Sequence, residues 1–124
     1  MIERVYTNGA PKAIGPYSQG IIAGDFVFVS GQIPIDPETG KIIDSYIEEQ
    51  AHRAIKNVRA VLEAAGSCLE NVVKVTVYLT NMDDFDGMNR VYAKYFYHKP
   101  ARSTVQAAKL PKDVKIEIDV IALI

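Results

Sequence analysis

Residues 45–80 read SYIEEQAHRAIKNVRAVLEAAGSCLENVVKVTVYLT, and the period of their apolar residues changes partway along. Up to Ala65, the residues Ile47, Ala51, Ile55, Val58, Leu62 and Ala65 recur every three or four positions, the spacing of one helical face. From Val72 to Thr80 the period is two. Val73, Val75, Val77 and Leu79 fall on one side and Lys74, Thr76, Tyr78 and Thr80 on the other, the pattern of a strand with two unlike faces. An amphipathic helix over 45–65 followed by a strand over 72–80 places the chain in the mixed α/β class. Ser45 with Glu48 three residues on is a capping-box pattern, and Gly66 stands where a left-handed C-cap is needed.

Upstream, DFVFVSGQ over 25–32 is aromatic and β-branched and follows a Gly24-Asp25 turn signal, so it reads as a strand paired in a hairpin with 17–22. A short first strand is expected near 4–6, and an exposed loop over 34–40, where Pro34, Asp36-Pro37 and Thr39-Gly40 are turn formers. Downstream, Asp83 or Asp84 can cap a second helix whose inward stripe is Phe85, Met88, Tyr92, Tyr95 and Phe96, stopped before Pro100. Strands over 102–109 and 114–123, joined at Leu110-Pro111-Lys112-Asp113, read as a hairpin. The order β-β-β-α-β-α-β-β, with right-handed crossovers, puts both helices on one face of a single sheet, a two-layer α/β (α+β) arrangement.

The other face is left uncovered. On the last strand Ile116, Ile118, Val120 and Ala122 point one way, while Lys115, Glu117, Asp119, Ile121 and Leu123 point the other. A face mixing Ile121, Leu123 and Tyr78 with charges predicts burial against copies of the same chain, hence a closed homo-oligomer.

The 124 residues fit one domain, 1–124, and 48% apolar with 23% charged residues matches an ordinary globular protein. Fourteen basic and 15 acidic residues are interspersed for a net charge of −1, so neither nucleic acid nor an anionic membrane surface is an expected partner. The opening MIERVYTNGAPK has no apolar run of the secretory kind, and no stretch of eighteen apolar residues occurs. Cys68 is the single cysteine, which suits a reducing, cytoplasmic setting. His52 and His98 are isolated and read as solvated helix-end residues; no metal is expected.

The last quarter carries the candidate chemistry. Arg102 can hold a planar carboxylate through two parallel hydrogen bonds without losing its charge, and Glu117 can serve as a water-orienting base. Read from the residues alone, the two form an ordinary surface ion pair. The register of the presumed hairpin leaves open whether they meet within one chain or across a subunit boundary.

Pro100-Ala101-Arg102-Ser103, Val105, Leu110-Pro111 and Ile116-Glu117-Ile118 are spaced as in the signature of the RidA (YjgF) family. Ala13-Ile14-Gly15-Pro16-Tyr17-Ser18-Gln19, Val29-Ser30-Gly31-Gln32 with Pro34, Asn57, and Lys74-Val75-Thr76-Val77-Tyr78-Leu79 resemble other segments of that family in the same order. The resemblance spans essentially the whole chain. It implies a chorismate-mutase-like fold, a homotrimer whose sheets form a central barrel, and clefts between neighbouring subunits. It also implies a cofactor-free cytoplasmic hydrolase that converts 2-iminopropanoate, the tautomer of 2-aminoacrylate, and 2-iminobutanoate to 2-oxo acids and ammonia. Arg102 matches the arginine that binds the substrate carboxylate, Glu117 the acid that positions water, and Tyr17 an aromatic lining the cleft. Ser30, Gly31 and Asn89 match further cleft positions. Thr104 also belongs to the cleft and stands where bacterial relatives often carry cysteine, so a role that needs a thiol there is not expected. Two other readings accompany this one: a non-catalytic 2-oxo acid-binding regulatory module, and an RNA-cleaving translation inhibitor, which the balanced charge disfavours.

Overall fold

A computed structural model describes residues 2–124. In chain order it contains β1 (Ile2–Val5), β2 (Gly20–Ala23), β3 (Phe26–Gln32), α1 (Ile47–Ala64), β4 (Val72–Leu79), α2 (Phe85–Tyr95), β5 (Ala101–Gln106) and β6 (Ile116–Leu123). The strands form one sheet in the order β1-β2-β3-β6-β4-β5, antiparallel throughout except for the β4/β5 pair. Both helices pack on one face. Val27 and Val29 of β3, Val75, Val77 and Leu79 of β4, and Ile116, Ile118, Val120 and Ala122 of β6 meet Ile55, Val58, Val61 and Leu62 of α1 and Met88 and Val91 of α2. No helix among the described residues is long and apolar enough to cross a membrane.

The 3.6-residue period of α1 holds: Ile47, Ala51, Ile55, Val58, Leu62 and Ala65 are all buried. The C-terminus is a Schellman cap, in which Gly66 at φ +84° lets its own N–H reach Glu63 O and lets Ser67 N–H donate to Leu62 O at 2.8 Å. The N-terminal capping box does not form. Tyr46 is the N-cap residue with no side-chain cap, and Glu48 instead accepts from Arg90 of α2 at 2.8 Å. The helix begins one residue later than the pattern requires, which leaves Ser45 outside the N-cap position. Neither Asp83 nor Asp84 caps α2 by its side chain; Asn81 accepts from Asp83 N and caps the short 3-10 turn that leads into it. The inward stripe of α2 is Gly87, Met88, Val91 and Tyr92, continued by Phe96, with Phe85 and Tyr95 only half-buried.

Several strand boundaries move. β1 begins at Ile2 rather than Arg4, and β2 starts at Gly20, leaving Tyr17 in the loop before it. In β4, Val72 rather than Val73 is buried, because a bulge opposite β6 between Val72 and Lys74 reverses the alternation at the strand's start. The loop over 34–40 is not wholly exposed: Pro34 and Ile35 are buried, and the fully buried Asn57 donates to the carbonyls of Ile33 and Ile35 at 3.1 and 2.9 Å. The two histidines are engaged rather than solvated. His52 Nδ1 lies 2.9 Å from Tyr95 Oη, and His98 Nε2 lies 3.0 Å from Val72 O.

The largest departure is the expected hairpin between the last two strands. β5 ends at Gln106 and runs parallel to β4, with Arg102 beside Val75, while β6 lies on the opposite side of β4, with Glu117 beside Tyr78. The cause is topological. Strand, helix and strand from β4 through α2 to β5 make a crossover unit, which sets β5 parallel at the sheet's edge. The remaining gap between β3 and β4 accepts an antiparallel strand, and β6 fills it after a turn in which Lys112 and Asp113 adopt left-handed backbone at φ 56° and 57°. The face away from the helices carries Phe26, Phe28, Tyr78, Glu117, Asp119, Ile121 and Leu123. Phe26, Phe28 and Leu123 are 41–42% exposed there, which is high for large apolar side chains set among carboxylates.

Candidate functional site

β3 and β6 keep regular antiparallel register from Phe26 to Val29, then slip by one residue before Gln32. The extra residue falls at Ser30-Gly31. Ser30 N–H donates to Gln19 O at 2.9 Å, its hydroxyl donates to Ser18 O at 2.6 Å, and its carbonyl accepts from Gln32 Nε2 at 3.1 Å. Gln19, buried, is itself tied to the N-terminal segment through Thr7 and Pro11. The bulge is thus a rigid shelf, and the Glu117 carboxylate rests on Gly31. Burial lifts the proton affinity of Glu117 above that of an ordinary carboxylate, and the like charge of Asp119 adds to the effect. Asp119 in turn accepts from Tyr78 Oη at 3.0 Å.

Beside this shelf opens a cavity of about 310 Å³ lined by Tyr17, Gly31 and Gln32, with Lys12, Ile14 and Lys112 around it. Tyr17 projects from its loop at 51% exposure, and its hydroxyl accepts from Ile14 N–H at 3.3 Å. Tyr17, Ser30, Gly31 and Glu117 therefore belong to one neighbourhood.

Arg102, Asn89 and Thr104 belong to another. Arg102 and Thr104 alternate along β5 toward the helices, opposite Val75 and Val77. The guanidinium donates through Nη1 to Asn89 Oδ1 at 2.8 Å and lies 4.7 Å above the Tyr92 ring and 5.5 Å from that of Phe85. No carboxylate pairs with it among the described residues, whose ion pairs are Arg90–Glu48 and Lys109–Asp113. The Tyr92 hydroxyl and the Thr104 hydroxyl are buried without hydrogen-bond partners. Burial raises the Tyr92 phenol above its usual range, against the opposing pull of the nearby Arg102 charge. A cavity of about 380 Å³ opens beside Arg102, Asn89 and Tyr92, rimmed by Lys99 and Pro100.

The two neighbourhoods lie on opposite faces of the sheet with β4 between them. Arg102 aligns with Val75, whose side chain is in the core, and Glu117 with Tyr78, three residues along on the uncovered side. An ion pair between Arg102 and Glu117 inside one chain is thereby excluded. Sequence reasoning left Tyr92 as a core residue. Its spacing of one helical turn from Asn89 was the available signal that it shares the arginine's surroundings.

A family model described as Endoribonuclease L-PSP matches residues 7–124. The chain is 56% identical over 123 residues to a RutC family protein of Pyrococcus horikoshii, with 98% of both chains covered. It is 45% identical over 127 residues to the 2-iminobutanoate/2-iminopropanoate deaminase of Salmonella typhimurium, covering 99% of this chain and 98% of that one. Among solved structures it is similar to Escherichia coli TdcF with bound serine, at a TM-score of 0.94 and 44% identity over 98% of each chain. A match that runs from Thr7 to the last residue, with relatives of the same length and the same fold, means that the chain belongs to the Endoribonuclease L-PSP (YjgF/RidA) family.

Proposed function

We propose that this protein hydrolyses small 2-imino acids to 2-oxo acids and ammonia, at a site made where Arg102 of one copy meets Glu117 of another in a homotrimer. The observation that carries the reading is Arg102: a partly buried cation, oriented by Asn89 and stacked on Tyr92, with no ion-pair partner among the described residues. Such an arginine is preorganised for a planar carboxylate supplied from outside. Glu117 complements it, since a carboxylate of raised proton affinity is a better general base than an ordinary one. The exposed apolar residues around Glu117 supply the surface that a second copy would cover.

Arg102 holds the carboxylate of the imine. Glu117 orients water against the C=N carbon and takes one of its protons as the C–O bond forms; the C=N π pair moves to nitrogen, which takes up a proton, giving a carbinolamine. The carbinolamine hydroxyl then gives up its proton while nitrogen gains one, and the C–N bond breaks as the C=O forms, so that ammonia leaves and the 2-oxo acid remains. No step calls on a metal or an organic cofactor. The names of the relatives support this: one is a deaminase of 2-iminobutanoate and 2-iminopropanoate, and another holds serine, an amino acid of the same size class.

The test is to generate 2-iminobutanoate with a threonine dehydratase and follow 2-oxobutanoate release with wild type, Arg102→Ala, Glu117→Ala and no protein. Acceleration by wild type alone is the expected result. A wild type that binds 2-oxobutanoate yet never exceeds the spontaneous rate would instead make the site a receptor. The family's endoribonuclease descriptor keeps RNA cleavage in view, and a charge of −1 with no basic stripe counts against it.

A further inference from the structure

Gly31 is not glycine for the sake of its backbone. The positive-φ glycines are Gly15, Gly24, Gly40 and Gly66, so position 31 has a conformation open to any residue. What position 31 lacks is room. A Cβ built there would stand 2.8 Å from the Glu117 carboxyl carbon and 3.1 Å from its Cγ, and would overlap Oε2. Real carbon atoms do not approach so closely, so either the strand or the carboxylate would have to move. The strand is held: Ser30 is bonded through its N–H, its hydroxyl and its carbonyl, and Gln19 behind it is bonded to Thr7 and Pro11. The free end of Glu117 is the part that can yield.

We infer that Gly31 is a positioning residue for Glu117: the missing side chain is the seat on which the carboxylate rests, and the bulge at Ser30-Gly31 fixes where that seat lies. The inference rests on the imine-hydrolase reading for the catalytic meaning of Glu117, though not for the contact itself. It assigns Gly31 a task different from admitting a ligand to the backbone. The bulge adds the one residue that brings an unsubstituted position under Glu117, and Ser30 serves as its anchor. Within the chain, the titratable groups near this carboxylate are Asp119 on its own strand and Tyr78 on β4, while β3 contributes none; in the proposed trimer Arg102 of a neighbouring copy faces it as well, in wild type and variant alike. A displaced carboxylate would therefore leave a half-buried, like-charged setting for water.

The experiment is Gly31→Ala in the full-length protein, read three ways. The Glu117 carboxyl is followed by NMR titration, 2-oxobutanoate binding is measured by calorimetry, and imine hydrolysis is followed as a pH profile. The seat predicts that Glu117 titrates lower in the variant than in wild type, and that kcat falls about 100-fold, the range for loss of a positioned base. Ligand affinity is expected to stay within about threefold, and Gly31→Ala added to Glu117→Gln should cost less than about twofold more, since the two changes remove the same thing. An unmoved Glu117 titration with affinity weakened tenfold or more would overturn the seat in favour of ligand approach. So would full additivity of the two changes. Should Gly31→Ala alone prevent folding, the background is Glu117→Asp, whose carboxylate is one methylene shorter. Folding of that double variant supports the size relationship, and its failure overturns it. A wild type without hydrolytic activity would remove the enzyme reading, and the Glu117 titration would still decide the seat.

Discussion

The shelf under Glu117 and the pocket around Arg102 are built by different means. The shelf is backbone: a bulge, a tight loop, and carbonyls held by Gln19, Gln32 and Asn57. The pocket is side chain: an arginine on an edge strand, steered by Asn89 and leaning on two aromatic rings of α2. Geometry made of backbone is set by the fold and gives way only when the fold does. Geometry made of side chains can be tuned one residue at a time. The two halves should therefore fail differently under substitution.

The largest effect is expected at Arg102. Arg102→Ala should lower kcat/KM for 2-iminobutanoate by 100-fold or more, roughly 3 kcal/mol of lost charge-assisted bonding, and Arg102→Lys should recover little of it because a point charge lacks the fork. Near-wild-type turnover of the lysine variant would remove the contrast, since the pocket would then need only charge.

Glu117→Gln should lower kcat by about 100-fold with KM little changed. Its second signature is stability. Because the folded carboxyl has the higher proton affinity, the native state binds more protons than the unfolded chain between the two pKa values, so the native state gains stability as pH falls through the folded value. The sign is fixed by the direction of the shift: stability is complete below the unfolded value and is lost as pH rises through the folded one. Glutamine cannot ionise, so the variant should melt higher than wild type at pH 7 and equal or lower at pH 4. A melting curve with the opposite pH trend would contradict the burial of this carboxylate.

Asn57→Ala probes the backbone side. It strands the carbonyls of Ile33 and Ile35, and a cost of about 2 kcal/mol should appear as a fall of roughly 8 °C in Tm. Activity should fall in step with the loss of folded protein. The smallest effect belongs to Tyr92. Tyr92→Phe removes a buried hydroxyl that has no partner and should be neutral or slightly stabilising, whereas Tyr92→Leu takes the ring from under Arg102 and should raise KM about fivefold. Equal KM values for the two variants would mean that Arg102 does not depend on the ring.

The fold class, the placement of both helices, the inward stripe of α1 and the uncovered face with Tyr78, Ile121 and Leu123 were all legible in the period of the apolar residues. The pairing of β5 and β6 was not, because periodicity describes the faces of a strand and says nothing about which strand lies beside it. Two strands joined by a turn look like a hairpin until the crossover through α2 claims β5 for β4. Val73 was misplaced for a related reason, since a bulge shifts alternation without changing composition. At the site, Arg102 and Glu117 stood out by residue type and family spacing, but their separation onto two faces depended on the strand order. The contact between Gly31 and Glu117 could not be read from the sequence, because the two lie 86 positions apart and meet only through the pairing of β3 with β6.

The strand that comes last in the chain lies in the middle of the sheet, with β3 on one side and β4 on the other. Without β6, the group β1 to β3 and the pair β4 with β5 share no edge. Any form of the chain with β6 undocked is therefore left with two separate sheet edges, those of β3 and β4, bare at once. One strand thus closes both edges and also carries Glu117, so docking of β6 completes the sheet and installs the carboxylate in the same event.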